Sequence, residues 1–315
     1  MARYLVRRVL TAVVVLIGIS MVTFALLHIM SPSPGRDVLG LQASRASVAA
    51  YNLAHGFDRP LVSQYLTYIN QLLHGNLGRS YKLNQSVDAL LAENAGRTAM
   101  LVGVSLAIAI AIAMPLGIFQ AVKRNKAADN VVTALAFTTY SMPTFFLGLL
   151  LIDLFALRLH LFTAEASQST SAFVIFTDPR SMVLPVATMA AVSIALYSRY
   201  QRSAALDQLA QDYIRLARAK GLSARLVLTR HLVRNACLPM ITLIGLSVPL
   251  LLAGNLVIES VFNYPGLGLL FFDSLQNEDY PVLLAYTLLS GALTVAGNLA
   301  ADIALAVADP RIELT

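Results

Sequence analysis

Six long apolar blocks decide what this chain can fold into. They run from Val9 to Met30, Thr98 to Val122, Asn130 to Ile152, Ser181 to Ser198, Asn235 to Ile258 and Pro281 to Ala301. A helix needs roughly 20 residues to cross a hydrocarbon layer ~30 Å thick. Inside that layer no water can satisfy backbone N–H and C=O groups, so a spanning segment must close its hydrogen bonds internally. Any one block could be a buried helix of a large soluble protein, but six in 315 residues read as membrane spans. Only 13% of the 315 residues are charged, against about 25% in a soluble domain. The expectation is a single all-α integral membrane domain, residues 1–315, with six transmembrane helices. The first block follows Arg7-Arg8 but exceeds the 7–15 residues of a signal-peptide core, and no small-x-small cleavage site follows it, so it reads as a retained span. The one cysteine, Cys237, cannot form an internal disulfide.

The charges orient the blocks. With the N-terminus inside, the inner segments hold 15 of the 23 Lys and Arg residues, among them Arg3, Lys123, Arg124, Arg199, Arg202 and Arg311. The remaining 8 lie mostly in one long outer loop, Ser31 to Arg97, and the last outer loop, Glu259 to Tyr280, has four carboxylates and no base. Such a bias puts both termini in the cytoplasm. The net charge of +6 thus reads as topology, and no nucleic-acid partner is expected.

Between the blocks the chain is punctuated. Ser31-Pro32-Ser33-Pro34-Gly35 ends the first span. Leu61, Tyr65, Tyr68, Ile69 and Leu72 recur at helical spacing, predicting an amphipathic helix over 61–73 in the outer loop. Gly75-Asn76-Leu77-Gly78 has turn chemistry. Pro115, Pro143, Pro185, Pro239 and Pro249 fall inside spans and predict kinks. Gly103, Gly117, Gly148, Gly245, Gly254 and Gly291 allow close helix packing.

The segment from Arg199 to Arg234 is too charged for hydrocarbon and too patterned for an unstructured loop. Leu206, Leu209, Tyr213, Leu216 and Ala217 fall at three- and four-residue spacing, giving one apolar face. Ala217-Arg218-Ala219-Lys220 favours helix, and Gly221 can end it in a left-handed conformation. The sum is a short cytoplasmic helix with an apolar face and a basic rim. Two surfaces suit it: a groove on a partner protein or an anionic lipid interface.

The run Asp212-Tyr213-Ile214-Arg215-Leu216-Ala217-Arg218-Ala219-Lys220-Gly221-Leu222, followed by Arg234-Asn235-Ala236 and Leu238-Pro239, resembles the signature loop of binding-protein-dependent ABC importer permeases. More narrowly it is similar to the first membrane subunit of the dipeptide/oligopeptide/nickel family. Further matches to that family are His55-Gly56-Phe57-Asp58-Arg59-Pro60, Gly75-Asn76-Leu77-Gly78-Arg79-Ser80, Tyr140-Ser141-Met142-Pro143, Ile258-Glu259 through Tyr264-Pro265-Gly266-Leu267-Gly268, Asp279-Tyr280-Pro281 and Asp309-Pro310-Arg311. The chain departs from the broad pattern in having Arg215-Leu216-Ala217 where Glu-Ala-Ala is usual.

The resemblance implies that Asp212 to Gly221 form a coupling helix seated in a cleft on a cytoplasmic ATPase in a bacterial plasma membrane. ATP-driven closure of two such ATPases would move it. It also implies a second homologous permease subunit and an external solute-binding protein, with Gly56, Asp58, Pro60, Gly75, Gly78, Tyr264, Pro265 and Gly266 on the receptor side.

No Gly-x-x-x-x-Gly-Lys-Ser/Thr run exists to cradle nucleotide phosphates. ATP and magnesium are therefore expected on the partner ATPases and no cofactor on this chain, which is expected not to be an enzyme. The five histidines are scattered without metal-ligand spacing, so no metal site is expected. The other reading is an ion-coupled secondary transporter. Asp153 and Asp302 are its candidate carboxylates, but both lie near span ends, where snorkelling or pairing explains them.

Overall fold

A computed structural model describes residues 2–30, 34–40, 42–169, 171–252 and 255–308. The Ser31-Pro32-Ser33 break, Gly254 and Asp309-Pro310-Arg311 lie outside these, as do the side chains of Arg7, Arg8, Pro249 and Asp302. The described residues are helical, with no strand beyond one bridge between Arg79 and Ser86. In chain order the helices are α1 (Ala2–Met30), α2 (Pro34–Leu39), α3 (Arg45–His55), α4 (Leu61–Leu73), α5 (Val87–Val122), α6 (Ala127–Ser141) and α7 (Thr144–Leu151). There follow α8 (Val174–Thr177), α9 (Pro179–Leu209), α10 (Asp212–Ala219), α11 (Ala224–Leu226), α12 (Val233–Ala236), α13 (Leu238–Leu252), α14 (Leu256–Val261), α15 (Leu267–Gln276) and α16 (Tyr280–Ala308). Wider π turns continue α7 through Ile152–Arg158 and join α11 to α12 through Val227–Leu232.

Three helices, α5, α9 and α16, are long and apolar enough to cross a membrane on their own, and the α6–α7 pair makes a fourth if counted as one bent span. The pair is bent by 105°, so the continuous span expected over Asn130–Ile152 is corrected to a broken one. The cause is local. Proline disfavours the helical region for the residue before it, and Met142 takes φ −73°, ψ 132° ahead of Pro143. Pro115 and Pro185 sit inside uninterrupted helices. The block expected over Asn235–Ile258 is also interrupted, because α13 ends at Leu252 and Asn255 caps α14 through its side chain, which accepts from the Ile258 N–H at 3.2 Å.

The centre of the bundle is α5 against α9. Small side chains line that contact, with Ala109 and Ala113 fully buried beside Tyr197 and Met240, which lets the backbones approach. α13 pairs with α16, and α1 packs on α16. The outward surfaces stay apolar: Val14, Val22, Phe145 and Leu149 are each at least half exposed. A water-soluble protein rarely shows so wide an apolar surface; hydrocarbon accepts it.

The two long loops of the sequence reading are structured. The described residues between 34 and 86 form a cap, in which α4 lies across the ends of α1 and α16 through Phe24, Tyr65, Tyr68, Tyr280 and Leu284. Ser20 Oγ and the Tyr65 hydroxyl share a hydrogen bond of 2.7 Å. The predicted amphipathic helix over 61–73 is α4 itself. Residues 259–280 fold back as α14 and α15 into the bundle core.

Candidate functional site

α10 sits at the end of the bundle remote from the cap. α5 starts in the apolar cluster with Leu267 and Val282 and ends in the cluster with Ile214. Its 36 residues separate the two by about 54 Å. Asp212 opens α10 with a carboxylate in the first turn, and Arg218 closes it with a base in the last, both favourable to the helix dipole. Gly221 takes φ +76°, a left-handed conformation that L side chains adopt with strain. This lets the Leu222 N–H turn back to the Ala217 carbonyl at 3.3 Å and aims the chain toward α11.

The apolar face of α10 is turned inward. Ile214 and Ala217 are buried against Ala121, Ala205, Val227 and Leu232 of the same chain. The Tyr213 hydroxyl donates to Gln208 Oε1 at 2.7 Å and accepts from Asn235 Nδ2 at 3.1 Å, tying the helix to the foot of α9 and the start of the next span. Asp212, Arg215, Leu216, Arg218, Ala219 and Lys220 are exposed. The apolar face expected to meet a partner or lipid is therefore occupied by the protein itself. What remains free is a basic face with one large apolar side chain, Leu216, 56% exposed. Periodicity identifies an apolar face but cannot say which surface it meets.

Behind α10 stands an ion pair that sequence reasoning missed. Asp129, in the first turn of α6, is 1% exposed. Arg202 on α9 grips it in a fork: Nε donates to Oδ1 and an Nη to Oδ2, each at 2.8 Å. The Asn125 N–H adds a bond at 2.9 Å. The only sequence signal was a lone carboxylate after the basic turn 123–126. Asp153, one candidate carboxylate of the ion-coupled reading, pairs with Arg158 at 2.8 Å and is 47% exposed.

At the other end the expected receptor-side residues divide. Asp58, Pro60 and Gly75 are exposed on the cap, with Gly56 half-buried where α3 ends and Gly78 half-buried where an added Cβ would lie 3.9 Å from Pro281. Tyr264 and Gly266 are buried in this chain and Pro265 is half-buried. The Tyr264 hydroxyl donates to the Arg97 carbonyl at 2.7 Å. Glu259, fully buried, accepts from Thr98 Oγ1 at 2.9 Å and from the N–H groups of Gly268 and Leu269 at 2.6 and 3.0 Å, at the N-terminus of α15. A Cβ at Gly266 would lie 2.6 Å from both the Glu259 carboxylate and Thr98 Oγ1. Asp279 accepts from Ser80 Oγ and, at 3.0 Å, from the Tyr81 N–H. Residues 80 and 279, almost two hundred apart in the sequence, thus meet across the fold.

Comparison with known proteins identifies the family. Residues 113–314 match the family described as binding-protein-dependent transport system inner membrane component, and residues 1–101 match the N-terminal region of the same kind of component. A putative peptide permease protein of Brucella ovis is 38% identical over 321 residues, covering 100% of both chains. The oligopeptide transport system permease protein AppB of Bacillus subtilis is 36% identical over 99% of this chain and 100% of its own. The dipeptide transport system permease protein DppB of Escherichia coli K12 is 34% identical over 99% of each. A chain of the MetNI methionine ABC transporter, solved in inward-facing conformations, shares the fold with a TM-score of 0.53 at 17% identity, covering 70% of this chain and 96% of that one. The chain belongs to the binding-protein-dependent transport family and is a multi-pass component of the inner membrane.

Proposed function

We propose that this chain forms half of the translocation path of an ATP-driven importer for peptides or similar small solutes. The observation that carries the reading is α10, whose apolar face is spent on its own chain while its basic face and Leu216 stand free. A helix bolted to the bundle and exposed on one side is suited to passing a push into the bundle. The names of the relatives, peptide, oligopeptide and dipeptide permeases, support the substrate class. Coupling would run through Asp212 to Gly221 to two cytoplasmic ATPases that bind ATP and magnesium. A second homologous permease would complete the pathway, and a solute-binding protein would dock on the cap. In this reading α1 and α13 are the remaining two of six spans, and both termini are cytoplasmic, as the basic-residue asymmetry supports.

Two measurements test it. Reconstituted with its ATPases, second permease and binding protein, the chain should support solute uptake only with ATP; uptake driven by a proton or sodium gradient alone contradicts the reading. Leu216→Asp alters an exposed side chain, so insertion and folding should be normal. Co-purification of the ATPases should be lost; retained association places the docking elsewhere.

A further inference from the structure

The cap and the ends of α1 and α16 enclose a cavity of about 710 Å³, within the size range of small-molecule sites. Its floor is apolar and aromatic: Phe24, Tyr280 and Leu284 are each 8% exposed. Tyr51, His55 and Phe57 on its wall form a cluster of three near-parallel rings, with centroids 4.0 Å apart between Tyr51 and His55, 6.1 Å between His55 and Phe57 and 6.4 Å between Tyr51 and Phe57. The charged side chains that line it are Arg59 and Arg79, both exposed at the rim, and no Asp or Glu lines it. Arg79 spends one Nη on the Asn84 carbonyl at 2.7 Å.

A purely structural gap would be filled or dry. This one has planar rings to stack on and guanidinium groups at the mouth with no carboxylate among the described lining residues to neutralise them. Guanidinium groups pair with carboxylates in a fork geometry, and stacked rings accept a planar or apolar group. We propose that the cavity binds a small ligand carrying a carboxylate and an aromatic or apolar group, as the C-terminal end of a short peptide does. The carboxylate meets Arg59 at the rim and the side chain enters between the Tyr51–His55–Phe57 cluster and Phe24. The choice of a peptide rests on the transport reading above; the pairing of anion and ring does not. The site would hold solute on the cap before the pathway opens.

The chain contains no tryptophan, so the indole of the dipeptide Ala-Trp reports binding without background from the protein. Full-length protein in detergent micelles should give a saturable rise in Ala-Trp fluorescence anisotropy. Loss of a charge-assisted bond should weaken binding about tenfold for Ala-Trp amide on the native protein and for Ala-Trp on Arg59→Gln. Arg45→Gln removes an equal charge from the cap surface outside the cavity and should leave the affinity unchanged. No saturable rise, equal binding of the amide, or an equal loss in Arg45→Gln overturns the proposal. The readout needs neither ATP nor a partner, so its failure leaves the uptake test of the transport reading standing, and the reverse.

Discussion

Glu259 shows how much a single side chain can hold in place. Its carboxylate gathers Thr98 of α5 and two N–H groups of α15, so one residue joins three helices. Removing the acceptor leaves three buried donors unpaired, at about 1–3 kcal/mol for each group. Glu259→Ala should therefore lower the melting temperature of the detergent-purified protein steeply, whereas Glu259→Gln, which keeps an oxygen for the N–H pair, should lower it only slightly. Gly266→Ala forces a methyl onto the same carboxylate and should cost about 1–3 kcal/mol in the same melt. Unchanged melting of Glu259→Ala would show that the network contributes nothing. These residues also mark a limit of sequence reading. Glu259 and Asp279 looked like solvent-facing charges because carboxylates are rarely buried. Their donors come from residues 98 and 80–81, a proximity that no local pattern encodes.

At the scale of elements, the Asp129–Arg202 fork joins the α5–α6 turn to α9, and α9 leads within a few residues into α10. In the coupling proposed above, a displacement of α10 would reach two spans together. Neutralising Asp129 leaves Arg202, whose side chain is 26% exposed, without its partner, so the cost falls below the roughly 3–5 kcal/mol of a fully buried pair. Asp129→Asn should lower the melting temperature and should raise the ATP hydrolysed per solute imported by the assembled transporter. Arg202→Lys keeps the charge without the fork and should fall between. An unaltered ratio in both variants would remove the pair from the coupling path. The helices themselves were legible because the apolar blocks are long. α5 and α9 nonetheless extend beyond their blocks, to Val87 and Leu209, since a helix does not stop where hydrocarbon does. The break at Pro143 was legible only as a kink; its size depends on what each half packs against. α14 and α15 were missed because α15 is a short apolar helix of 10 residues placed between charged residues, too brief to register as a span.

For the whole molecule, the cap and α10 mark opposite ends, and the account requires the bilayer to lie between them. Cys237 is the only cysteine, so a Cys237→Ala background allows single reporters. A cysteine at Asn76, exposed on the cap, should react with a membrane-impermeant maleimide in intact cells. One at Lys220 should react only after the membrane is opened. The reverse order would invert the topology. The central claim concerns the exposed face of α10, and crosslinking from Leu216 tests it most directly. With Leu216→Cys in the cysteine-free background, a short thiol-reactive photocrosslinker in the assembled transporter should join this chain to an ATPase subunit, and nucleotide should change the yield. Crosslinks to lipid alone, or none to any ATPase with and without nucleotide, would contradict the account.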